Sequence, residues 1–217
     1  DTDFGFGIWD PNAYTFNTLS FALTPNGPDW PNPPWSTYIF RRLLENNHFK
    51  NTFINVYSDL LNTIFSSSYI SGKLNSVKSI IEGEIQNHKD RWPQSATNWN
   101  YNLSTMDNFS TSRRSYAINH LRNKFSLPNL ALLNLNIESS EQGYINLNSL
   151  KIDSEEWSGY YFPSVPIKVE AIAKSGFVFS QWLEYPDSSA SMQINISDPF
   201  TLTAIFELSN MNSNDIV

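Results

Sequence analysis

At Leu127-Pro128 the hydrophobic pattern of this chain changes period, and that change limits the folds open to it. Upstream, apolar residues recur at spacings of three and four, the signature of helices with one buried face. Phe40, Leu43 and Leu44 form a first such face, and Phe49, Phe53, Val56, Tyr57, Leu60, Leu61 and Ile64 a second, with a junction near Asn46-Asn47. A third helix is expected from an N-cap at Ser71 through Leu74, Val77, Ile81 and Ile85 to Trp92, with Pro93 as its stop. On that reading Trp92 shares the buried face. A fourth helix is expected from near Ser104, with Asp107 in its first turn, through Met106, Phe109, Ala117, Leu121 and Phe125. Downstream of Pro128 the period is two. Leu133 to Ile137, Tyr144 to Asn148, Ile167 to Ile172, Gly176 to Trp182, Met192 to Ile196 and Leu202 to Phe206 alternate apolar with polar residues, which predicts an antiparallel β domain of about six strands. Phe177, Phe179 and Trp182 are expected to fill its core.

Charge divides at the same place. Residues 1–128 carry 11 Lys and Arg against 10 Asp and Glu, whereas residues 129–217 carry 3 against 11. The fold class that follows is α+β in two domains: residues 1–128, comprising a loop over 1–34 and helices over 35–128, then a small all-β domain over 129–208 and a tail over 209–217 that should fray. An acidic half and a near-neutral half with no basic stripe beyond Arg113-Arg114 and Arg122/Lys124 argue against nucleic acid as a partner. No apolar run reaches the roughly 18 residues that a membrane-spanning helix needs. The chain begins at Asp1 with no leader-like segment, so a longer parent protein is expected. Its lack of cysteine removes thiol nucleophiles, disulfides and cysteine-held zinc. His48, His88 and His120 have no second histidine at a ligand spacing and are read as solvent-facing or packing residues.

Chemistry is densest at the start. Asp1-Thr2-Asp3-Phe4-Gly5-Phe6-Gly7 puts two carboxylates two residues apart ahead of glycines that permit a tight turn, a pattern able to offer hard oxygen ligands to Mg²⁺ or Ca²⁺. Asp3-Phe4-Gly5 also spells the triplet whose Asp holds Mg²⁺ on ATP phosphates in protein kinases. The rest of residues 1–34 is dense in Pro, Gly, Asn and Asp and reads as a long ordered loop, packed by Phe4, Phe6, Trp9, Tyr14 and Phe16.

In order, this acidic segment, then Phe40, Leu43, Leu44 and Phe49, then Tyr57, Asp59, Leu60 and Leu61, then Arg91-Trp92, Arg114, Phe125 and Leu127, resemble the C-terminal half of the spore-coat CotH kinase-like family over about residues 1–128. The resemblance implies the helical, C-lobe-like part of an atypical kinase fold in a bacterial protein that is secreted or at the cell surface. It further implies Mg²⁺ and ATP as cofactors, transfer of a phosphoryl group to a serine-rich protein, and Asp1 or Asp3 as the metal ligand. The family's phosphate-pairing lysine and nucleotide-covering strands have no counterpart here, so the chain alone is expected to be inactive.

The second half, through Glu156 to Phe162, Pro166 to Ala171, Ser175 to Trp182 and Leu202 to Phe206, resembles bacterial surface-repeat domains related to internalin B repeats. That implies an accessory module. It also sets up a rival reading: a non-enzymatic adhesion protein with a degenerate kinase-like region, whose β module binds a cell-surface glycan or protein. Trp157, Tyr160, Tyr161 and Phe162 with Trp182 would be its stacking platform, although packing of Trp182 with Phe177 and Phe179 in the small core is the stronger expectation. Glu155-Glu156 reads as a solvated turn, since no second carboxyl is placed at a catalytic distance.

Overall fold

The computed structural model describes residues 5–25, 32–94, 98–186, 189–197 and 199–209. The chain groups into two compact units, Asp1–Arg42 with Leu60–Ser126, and Leu43–Asp59 with Leu127–Val217. The strands therefore share their unit with residues 43–59, a grouping different from the division at residue 128 that composition suggests.

The first unit is helical. A 3-10 turn (Ala13–Thr15) and helix α1 (Thr18–Leu23) occupy what reads in the sequence as loop. Asn17 caps α1, its side chain accepting from the Ser20 N–H at 2.8 Å. Helix α2 (Tyr38–Leu43) leads to α3 (Asn47–Asn62), and the junction falls where the two apolar faces meet, with the Asn46 side chain accepting from the Phe49 N–H. Beyond α3 two starts differ from expectation. Helix α4 (Ser67–Ile81) is capped by Ser66, one turn ahead of Ser71, and a 3-10 turn at Glu82–Glu84 separates it from α5 (Ile85–Arg91). Gly83 sits at that break, where a helix interior would cost it about 1 kcal/mol relative to Ala. Helix α6 (Trp99–Phe125) starts well before Ser104, so Asp107 lies inside the helix and accepts from the Ser71 hydroxyl at 3.1 Å. Ser126, in the left-handed region at φ 54°, ends α6 just before Pro128.

The expected burial of Trp92 is corrected here. Its side chain is 56% exposed, and Val77 and Ile81 of the same intended face are exposed as well. Helical spacing establishes that these residues share a side of α4 and α5; it does not supply a surface to cover them.

Among the described residues of the second unit, eight strands form two four-stranded sheets. The first orders β4 (Glu156–Tyr161), β1 (Ala131–Ile137), β8 (Phe200–Leu208) and β6 (Phe177–Trp182); the second orders β3 (Leu150–Ile152), β2 (Gly143–Leu147), β5 (Ile167–Ala173) and β7 (Ser191–Ile194). The pairing is antiparallel except between β1 and β8, which run parallel with Leu133 opposite Phe200, so the sheet expected to be wholly antiparallel is mixed. Period two buries one face of each sheet in a single core that includes Leu133, Leu135, Ile145, Leu147, Ile167, Val169 and Leu202. A Cβ at Gly143 would overlap the Phe206 ring, which explains the glycine at the head of β2.

Trp182 is fully buried, but simple alternation does not put it there. It stands three positions after Phe179, an odd offset that would send the two side chains to opposite faces. The register shifts between Phe179 and Gln181, so Ser180 is the extra residue of a β-bulge that returns Trp182 to the core. Its indole N–H then donates to the Ser189 carbonyl at 3.1 Å.

Residues 43–59 are joined to the sheets by a buried carboxylate. Asp59, with no solvent exposure, accepts from the Tyr161 hydroxyl at 2.7 Å, the Ser149 hydroxyl at 2.6 Å, the Ser149 N–H at 3.0 Å and the Asn148 side-chain amide at 3.3 Å. Asn148 stands at φ 48° in the turn between β2 and β3, a conformation that asparagine tolerates better than most residues. One α3 side chain thus satisfies a strand and a tight turn together.

Candidate functional site

Asp1 and Asp3, the two expected metal ligands, lie outside the described residues. What is described is the turn that follows them and the helix on which it sits. Gly5 to Ile8 close a turn through the Ile8 N–H and the Gly5 carbonyl at 3.2 Å. Both central residues have positive φ, 54° at Phe6 and 78° at Gly7. Such a turn favours glycine at its second central position, and here a Cβ on Gly7 would also press on the Thr105 methyl at 3.2 Å. Phe6 accepts the less favourable backbone region because its ring is held against Phe109, with centroids 5.4 Å apart.

Farther along, Arg113 gathers the chain. Its guanidinium donates to the Tyr14 carbonyl at 3.0 Å, the Phe16 carbonyl at 2.6 Å and the Thr18 hydroxyl at 3.0 Å. Those carbonyls belong to irregular backbone and need donors from elsewhere. Tyr14 meets Tyr116 edge-on at 5.5 Å, and Tyr116 in turn meets His120 at 6.2 Å. Thr105, Phe109, Arg113, Tyr116 and His120 follow one another at spacings of four, four, three and four, so a single stripe of α6 carries this segment. Burial, and secondarily the nearby Arg113 charge, holds the His120 imidazole below its ordinary pKa.

The adjacent arginine works on the opposite side. Arg114 donates through Nε to the Leu61 carbonyl at 3.0 Å and through Nη2 to the Asn62 side chain at 3.2 Å, capping the end of α3. The pair Arg113-Arg114 is therefore a pair of backbone anchors. An apolar recess of about 200 Å³ opens beside Phe6, walled by Ile70, Leu74 and Val77 of α4 and Met106 of α6.

Other candidate residues fall apart in space or are used structurally. The Asp10 carboxylate accepts from the Asn12 N–H at 2.8 Å and so shapes a turn. Among the described residues no three His, Asp or Glu side chains gather as a metal site. No helix among them is long and apolar enough to cross a membrane. Glu155 and Glu156 are exposed. The aromatic platform is absent as a surface: Tyr161, Phe162 and Trp182 are buried and Trp157 is half-buried, leaving Tyr160 the outward-facing member of the set.

Two anchors escaped the reading of the sequence. Arg113 drew notice only as part of a basic pair, and its place four residues after Phe109 and three before Tyr116 is the signal that could have marked it. Asp59 drew notice only as part of a Tyr-x-Asp-Leu-Leu pattern; a carboxylate amid the apolar face of α3 is the corresponding signal.

Residues 1–117 match the model of the family described as CotH kinase protein. No curated protein and no solved structure matches the chain.

Proposed function

This chain belongs to the CotH kinase family, and from that premise we propose that its first 34 residues form the metal-binding edge of an atypical protein kinase site. In this reading the parent is a bacterial protein, secreted or held at the cell surface, that phosphorylates serines of a serine-rich protein. The chemistry of the donor set fits: two closely spaced carboxylates are the hard oxygen ligands that Mg²⁺ favours, and they leave coordination positions for water and phosphate oxygens. When bound, Mg–ATP supplies the γ-phosphoryl group, with the cation neutralising charge on the phosphate oxygens.

The observation that carries the proposal is the anchored turn. Gly5 stands two residues after Asp3, and the turn it opens is fixed to α6 through Phe6, Gly7, Thr105 and Phe109. Arg113 fixes the chain again at residues 14–18. Held at both places, the chain that follows the two carboxylates has a fixed course along α6, the kind of supporting scaffold on which a ligand pair can be built. The phosphate-pairing lysine and the nucleotide cover come, on this reading, from outside these 217 residues.

Asp3→Asn in the intact parent should abolish phosphate transfer from ATP to a serine-rich protein. Asp10→Asn should preserve transfer, because Asn retains the oxygen that accepts from the Asn12 N–H. Full activity in the Asp3→Asn parent removes Asp3 from the site.

A further inference from the structure

The second unit contains a recess that the kinase reading leaves unused. It has a volume of about 290 Å³ and lies between the first half of α3 and the β2–β3 turn with strands β5 and β7. One wall is locked. Asn148 and Ser149 are held by Asp59, and Asn55 donates to the Pro166 carbonyl at 2.8 Å. The side chains of His48, Asn51 and Gln193 also line the recess, yet none of them hydrogen-bonds to another described residue. Val56 and Pro166 add apolar surface beside them.

We propose that this recess binds a single pyranose ring, free or at the end of a glycan. Two carboxamides each offer donors and an acceptor, and the imidazole adds ring nitrogens that also form hydrogen bonds; vicinal hydroxyls, which both donate and accept, are their natural complement. Apolar patches such as Val56 and Pro166 suit the C–H face of the ring. The volume sits at the lower edge of the roughly 300–1,000 Å³ range of drug-sized ligand sites, so the occupant is smaller than a nucleotide. An anion fits less well. Among the described lining residues Lys168 is the one Lys or Arg, and its ammonium is 4.0 Å from the Glu170 carboxylate. The proposal rests on no part of the kinase reading.

The test is a two-dimensional amide NMR titration of the full 217-residue chain with methyl glucoside, methyl galactoside, mannose, N-acetylglucosamine and, separately, inorganic phosphate. At least one sugar should move the side-chain amide signals of Asn51 and Gln193 saturably, with half-saturation on the order of 1–10 mM for so small a ligand. Asn51→Ala and Gln193→Ala should each weaken binding by about fivefold, the loss of one hydrogen bond. Lys168→Met should change it by less than about twofold, as befits a neutral ligand. Gln193 is exposed and Asn51 half-buried, so the variants' own reference spectra show whether the fold is kept. Absence of saturable shifts for every sugar at tenfold higher concentration overturns the proposal. So does binding that survives both alanine variants. Phosphate saturation that Lys168→Met abolishes, without a sugar response, makes this an anion site instead.

Discussion

Each unit is tied together by one charged side chain, but the two ties are opposite in kind. In the first, Arg113 collects acceptors, two carbonyls and a hydroxyl from residues 14–18, on a helix stripe that stays partly open to solvent. In the second, Asp59 collects donors from residues 148, 149 and 161 and is removed from solvent altogether. A guanidinium suits the first task because irregular backbone leaves carbonyls unsatisfied and a long side chain can reach several. A carboxylate suits the second because a turn and a strand end present N–H and O–H groups that must be matched once buried. The difference in burial sets the energetic order. Water can replace part of what Arg113 supplies, and cannot easily replace what Asp59 supplies.

The largest effect should therefore come from Asp59→Ala. It leaves the Tyr161 hydroxyl, whose residue is fully buried, without its 2.7 Å acceptor and strips two bonds from Ser149. Loss of about 3–5 kcal/mol is expected in denaturant unfolding followed by a probe in the second unit. Asp59→Asn keeps one acceptor oxygen and should recover part of that loss. If Asp59→Ala costs less than about 1 kcal/mol, water reaches the site and the contrast between the two anchors fails.

Arg113→Met comes next. With three hydrogen bonds gone but water able to compete for the acceptors, about 1–2 kcal/mol should be lost in the first unit. Hydrogen exchange should rise mainly over residues 14–18. The same substitution sharpens the electrostatics. His120 has its pKa lowered first by burial and then by Arg113, so removing the cation should raise it only partway. Its linkage has a definite sign: with the folded pKa below the unfolded one, the stability due to neutral His120 is fully present above about pH 6.5 and is lost as pH falls toward the folded value. In Arg113→Met that loss on acidification should be smaller, and an unchanged His120 titration by NMR would show that the guanidinium charge is not felt there.

How much of this could be read from the sequence also differs between the units. In the second, period two with two packed sheets leaves little choice: Leu133, Leu135, Ile145, Leu147, Ile167 and Val169 are legible as core and are buried. Legibility stops where local geometry departs from alternation, as at the Ser180 bulge, and where strands far apart in sequence pair, as β1 and β8 do in parallel. In the first, spacing finds helices but misplaces their starts, because Ser66 and Ser71 both offer a cap for α4, and α6 begins after Asn98 with no side-chain cap bond to mark it. The anchored turn was visible only as glycines near carboxylates. That Gly7 faces Thr105 and that Arg113 reaches Tyr14 are pairings across nearly a hundred residues, which no local pattern encodes. The metal ligands Asp1 and Asp3 were proposed from the sequence and remain a proposal from it.

Trp92 gives the smallest expected effect and the clearest separation between a shared helix face and a core. Its indole is 56% exposed, its N–H backbone bond to the His88 carbonyl is independent of the side chain, and Pro93 ends the segment whatever residue precedes it. The Arg91 guanidinium lies 5.3 Å from the centroid of its ring. At an exposed site such an interaction is worth about 0.5–1 kcal/mol. Trp92→Ala should accordingly cost less than about 1 kcal/mol in the unfolding of the first unit, against the roughly 3–5 kcal/mol expected for truncating a buried indole such as Trp182. A cost near the larger figure would mean that in solution the face shared by Leu74, Val77, Ile81 and Trp92 is covered after all, and that the spacing of these residues had marked a true interface.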